Sequence, residues 1–124
     1  MEQMQNVNTI KELTAPFFKK GFVMEYLYEK GGDSSCVYIC RFKRGRDFFD
    51  WRETSGTDEI HFVVYVNGNY DFPSFKKKYA KDYRKFAIKS FFKGVNMDEK
   101  RKFFAEILTK ELSACEGDFF GIKL

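Results

Sequence analysis

The chain has 124 residues, 22 Lys and Arg against 18 Asp and Glu, and a formal net charge of +4. That length holds one domain with one core, large enough to fold without disulfides or metal. Aromatic residues make up 19% of the chain and only 2 residues are Pro, the composition of a folded domain rather than a disordered one. No apolar run reaches the roughly 18 residues that a membrane helix needs. The opening MEQMQNVNTIKEL lacks the basic start and apolar stretch of a secretory signal. A cytoplasmic protein without a membrane partner is expected.

Met4, Val7, Ile10, Leu13 and Phe17 recur at three- and four-residue steps, as one face of a helix does. Thr9 to Glu12 has capping-box form, which favours a firm start at Thr9 with a frayed lead. Pro16 is expected to kink that helix or open its last turn, and Gly21 to stop it. Four strands should follow. Phe22 to Glu29 alternate, Gly31-Gly32-Asp33-Ser34 is turn chemistry, and Cys36 to Lys43 alternate again. A tight turn at Arg44-Gly45-Arg46 leads into residues 47–53, and residues 54–58 turn once more. Ile60 to Val66 is nearly continuous in apolar residues, so it reads as a central strand apolar on both faces, ended by Asn67-Gly68-Asn69. Short loops make this an antiparallel meander.

Phe72, Phe75, Tyr79, Tyr83 and Phe86 fall in one narrow helical stripe, Pro73 suits its first turn, and Lys93-Gly94 breaks it. A last helix begins near Asn96 with Glu99 three residues on. Its apolar face is Phe103, Phe104, Ile107, Leu108, Leu112 and Cys115. Gly117 ends it, and the tail FFGIKL must dock somewhere. The expected fold is a single α+β domain over residues 1–124. It comprises an N-terminal helix, a four-stranded antiparallel meander and two C-terminal helices, packed in two layers.

The three cysteines do not form a disulfide framework. Cys36 and Cys40 lie on one face of one strand, about 13 Å apart at ~3.3 Å per residue, beyond the reach of a bridge. They read as buried thiols, as does Cys115; nothing in the sequence supports a bridge from Cys115 to either.

Charge placement is the strongest signal that packing does not explain. Lys76 to Lys102 hold eleven Lys and Arg against three Asp and Glu, a net of +8, which leaves −4 for the remainder of a +4 chain. Lys77, Lys78, Lys81, Arg84, Lys85 and Lys89 fall opposite the Phe/Tyr stripe. Such a face is either simply solvated or receives an anion. An acidic protein is the first candidate partner. Nucleic acid is the second: lysines serve phosphate contacts, but the face holds few groups that read base edges, and the stripe aromatics are turned inward. Ile88 and Phe92 point to the basic side and suit a protein interface or packing on the last helix.

In DFFDWRE, Asp47, Phe49, Trp51 and Glu53 share one face, and Phe48, Asp50 and Arg52 the other. Paired carboxylates could act as acid and base, but cross-strand pairing with Arg41, Lys43 or Arg46 is the simpler expectation. Trp51 and Arg52 are of the types that anchor interfaces, although a lone Trp is more often core. His61 is the only histidine. A catalytic role for it would need a pocket, a carboxylate and a nucleophile, with Cys36 or Cys40 the only Cys–His option. No metal-ligand spacing, glycine-rich phosphate cradle or nucleotide motif occurs, so no cofactor and no metal are expected.

Phe17-Phe18-Lys19-Lys20-Gly21-Phe22, then Tyr38 to Phe42 and Ile60 to Val66, loosely resemble bacterial domains of unknown function. These begin with a helix, pass a Gly-Phe step and enter an antiparallel meander. The resemblance spans Pro16 to Phe72, about half the chain, implies a bacterial protein, and assigns no site. The expectation is a non-enzymatic protein-interaction module using the basic helix face. Nucleic-acid binding by the same face, or an enzyme centred on His61, are the alternatives. Homo-oligomerisation is compatible with the charge asymmetry, the acids around Asp47 to Glu59 being the natural counterpart.

Overall fold

A computed structural model of the chain describes residues 2–30, 36–55, 59–94 and 96–124. The expected Gly31-Gly32-Asp33-Ser34 turn, residues 56–58 of the following turn, and the side chain of Met4 lie outside the described residues.

Helix α1 (Glu2–Leu13) begins well before Thr9, so the apolar stripe prevails over the capping box. It breaks at Thr14, and the short helix α2 (Ala15–Lys19) restarts with Pro16 in its first turn, where a missing N–H costs nothing. The buried Thr14 hydroxyl donates to the Ile10 carbonyl at 2.6 Å. Gly21, at φ +91°, turns the chain into the sheet.

The sheet has five antiparallel strands in sequence order, not four: β1 (Val23–Lys30), β2 (Cys36–Arg44), β3 (Asp47–Thr54), β4 (Glu59–Val66) and β5 (Asn69–Asp71). Asn67 and Gly68, both at positive φ, do not end the meander but reverse it in a two-residue hairpin. Because β5 pairs only with Val64, Tyr65 and Val66, the remainder of β4 lies at an edge rather than in the centre.

Past β5 come helices α3 (Ala80–Lys93) and α4 (Met97–Ala114) and a small hairpin of β6 (Asp118–Phe119) and β7 (Ile122–Lys123). Residues 72–79 are not helical, despite their aromatic stripe. The chain must leave the sheet there and cross its edge, and Phe75 reaches the core from that irregular segment, 5.5 Å from the Phe62 ring and 5.4 Å from Phe120. α4 starts as its sequence predicts: the Asn96 side chain accepts from the Glu99 amide at 2.9 Å.

The helices cover one face of the sheet, the face of Phe42, Phe49, Trp51, Phe62 and Val64. Phe17 sits at its centre with no exposed surface, its ring 5.2–5.4 Å from those of Phe22, Phe42 and Phe119. Ring pairs of this kind add about 0.5–1.5 kcal/mol each beyond area burial. The tail docks here: Phe119 and Ile122 are fully buried in the same cluster. On the opposite face Arg41 clamps the buried Asp50 through two hydrogen bonds of 2.9 and 3.0 Å while lying 3.8 Å over the Phe48 ring.

Candidate functional site

The basic segment divides into two parts. Lys77 and Lys78 precede α3, outside the helix in which their spacing placed them. Lys78 is held to Glu111 of α4 at 2.7 Å, and the Tyr79 hydroxyl donates to the same carboxylate at 2.7 Å. Burial, and then that hydrogen bond, raise the Tyr79 pKa. Lys78 therefore serves the joint between α3 and α4. Lys77, Lys81, Arg84, Lys85 and Lys89 are exposed and form no ion pair among the described residues.

α3 packs through one flank only. Phe86 stacks on Phe103 of α4 at 4.3 Å, Tyr83 meets the same ring edge-on at 5.1 Å, and Asp82 pairs with Lys110 at 3.1 Å. None of its residues is fully buried. On the outward side Ile88, Phe91 and Phe92 stand among the cations, with 54%, 83% and 78% of their surfaces exposed. Ile88 and Phe92 are where the helical wheel places them, and not on α4. Phe91 joins them: on the same wheel it falls well outside the Phe/Tyr stripe, toward the basic side. Gly94, at φ +73°, ends the helix directly after this patch.

Trp51 is not an interface anchor: it has no exposed surface, because register sets it between Cys40 and Phe62 on the helix-covered face. Its indole N–H donates to Glu53 at 2.9 Å. Arg52 lies on the other face, half-exposed, 3.3 Å from Glu29 and cross-strand from His61. The carboxylates of DFFDWRE do not form an acid–base pair. Asp50 and Glu53 face opposite sides of the sheet, bound by Arg41 and Arg101 respectively. Nor do these acids meet the basic segment; α3 through Asp82, and Lys78 before it, take their ionic contacts from α4.

His61 is exposed, its Nε2 2.9 Å from Glu59. It borders a cleft of about 750 Å³ that also reaches Arg41, Asp50, Arg52 and Ser74. No hydrogen bond joins Ser74 to His61 among the described residues. Cys40 is on the opposite face of the sheet from His61, and burial pushes its thiol up to about 12, which removes it as a nucleophile. The cysteines are free. Among the described residues no three His, Cys, Asp or Glu side chains are placed to hold a metal, and no helix is long and apolar enough to cross a membrane.

Compared with protein-family models, curated proteins and solved structures, the chain matches none of them. Its own surfaces carry the argument.

Proposed function

We propose that the chain is a non-enzymatic interaction module that docks an acidic protein on the outward face of α3. The observation that carries this reading is the exposure of Ile88, Phe91 and Phe92 amid Lys81, Arg84, Lys85 and Lys89. A solvated helix face has no use for three large apolar side chains, whereas interfaces place aromatic anchors at their centre and charges around them. The lysines steer an anionic surface and the rings supply the desolvated contact. A second copy is a poorer partner: the sheet carboxylates Asp50, Glu53 and Glu59 already hold Arg41, Arg101 and His61.

Nucleic acid is the second reading, favoured by the same exposed rings, since Phe91 and Phe92 could stack on bases. Their mutual edge-on arrangement, centroids 5.2 Å apart at 89°, offers no common platform for consecutive bases. The test compares cross-linked partners of the wild type, K81E/K85E/K89E and F91S/F92S in the source organism. An acidic protein captured by the wild type and lost from both variants is expected. A partner set unchanged by either variant overturns the reading, and a wild-type mobility shift with single-stranded oligonucleotides at low salt, lost in both, transfers it to nucleic acid.

A further inference from the structure

We propose that the free edge of β4 is a second binding site, which takes an extended acidic-apolar peptide as an added strand. The site is independent of the outward face of α3. β4 pairs with β3 from Glu59 opposite Thr54 to Tyr65 opposite Phe48. On its other side β5 covers only Val64 to Val66. Phe72 and Pro73 then leave the sheet, and among the described residues no strand lies beside Glu59–Val63. Val66 and Asn69 flank the two-residue turn as a hydrogen-bonded pair, and an antiparallel ladder alternates. The N–H and C=O groups of Phe62 and Ile60 therefore point off the free edge.

The large cleft lies along that edge. Ile60, His61, Phe62 and Val63 all line it. Successive strand side chains point to opposite faces, so a cleft that touches four in a row must lie beyond the strand and not on one face. Its far wall is the segment from Phe72 to Lys76. A second hollow of about 310 Å³ shares Ile60, His61, Tyr83 and Phe104 with it and continues toward Phe86 and Ala87. The result is a groove parallel to a strand with unpaired backbone groups, the geometry of strand addition.

The two sides of the groove differ in chemistry, and this selects the occupant. Toward the helices lie the rings of Phe62, Phe75, Tyr83 and Phe104. Toward the open face lie two ion pairs, Arg41 with Asp50 and Arg52 with Glu29, and His61 beside Glu59. Lys76 on the far wall is exposed and without an ion pair among the described residues, and it leaves the lining with three Lys and Arg (Arg41, Arg52, Lys76) against two acids (Glu29, Asp50), an excess that favours an acidic occupant. A docked strand sends alternate side chains to the two sides, so apolar residues alternating with Asp or Glu fit. The edge lacks the usual protection: Ile60 to Val63 hold no lysine and no proline, whereas the opposite edge strand β1 carries Glu25, Glu29 and Lys30.

The test uses two fluorescein-labelled hexapeptides of alternating sequence, one Glu/Val and one Lys/Val. Each is also made with every second amide N-methylated, in both registers. Saturable binding of the Glu/Val peptide is expected, with the Ile60 and Phe62 amide protons protected from exchange in the complex. N-methylation in one register should weaken binding by roughly tenfold or more, as lost backbone hydrogen bonds require. Arg52→Glu should weaken the Glu/Val peptide and strengthen the Lys/Val one. Equal binding of parent and both N-methylated peptides, no saturable binding of the Glu/Val peptide, or concentration-dependent dimerisation that protects the same two amides, overturns the proposal. Each of these outcomes leaves the reading of α3 standing, because no variant touches its outward face.

Discussion

Glu53 of β3 and Arg101 of α4 meet in a bidentate pair, Arg101 Nε to Glu53 Oε2 at 2.9 Å and the terminal nitrogen to Oε1 at 2.8 Å, with both side chains less than 10% exposed. The pair links sheet and helix across 48 residues of sequence. Trp51 completes the shell of Glu53, and Asp98 takes the remaining Arg101 amino group at 3.0 Å. These contacts stabilise both charges, and the hydrogen bond to Glu53 is the main reason the Arg101 pKa is raised.

Removing one partner should be far worse than removing both. Glu53→Leu leaves a buried guanidinium without its carboxylate and is expected to cost about 3–5 kcal/mol, as is Arg101→Met. The double variant should recover much of that loss, because two apolar chains need no counter-charge. Urea unfolding followed by the fluorescence of Trp51 measures all three. Additive costs in the double variant would show that the pair is not coupled.

Cys40 should make the fold sensitive to alkali. Burial first, and then the Glu53 carboxylate, push its thiol from 9.0 up to about 12. The folded state therefore holds this proton more tightly than the unfolded chain. That stabilisation is complete below pH ~9 and is lost as pH rises toward ~12, by about 4 kcal/mol over the whole interval. The stability advantage of wild type over Cys40→Ala should be constant below pH ~9 and shrink above it. In the native protein at pH ~8, Cys40 should also be the slowest of the three thiols to react with a disulfide reagent.

Phe119 lies in the centre of the core although it stands only five residues before the last one, Leu124. Its ring packs 5.2 Å from both Phe17 and Phe49. Phe119→Ala should cost about 3–5 kcal/mol, whereas Lys123→Ala, an exposed neighbour in the same hairpin, should stay within about 0.5 kcal/mol. Equal effects in thermal unfolding would mean that the hairpin, and not the ring, holds the tail.

Short-range chemistry in the sequence was enough to place most elements. The Asn96 cap, the break before Pro16 and the alternation of β1 to β3 each depend on a few neighbouring residues. β5 was legible too, since Asn67-Gly68 is a hairpin signal, but three residues of strand are too few to show alternation. The stripe from Phe72 to Tyr79 misled because aromatic spacing records which side chains reach the core, not the backbone path by which they reach it.

Charge and aromatic content were determined by the sequence alone: +8 between Lys76 and Lys102, and rings enough to fill one core. Which charges remain free was decided only by tertiary structure. Asp50, Glu53 and Lys78 found partners on other strands and helices, whereas Lys81, Lys85 and Lys89 have no ion pair among the described residues. The bare edge of β4 arose in the same way, from where β5 stops and the chain turns away. Pairing across long loops depends on register and docking angle, which local residue preferences do not encode.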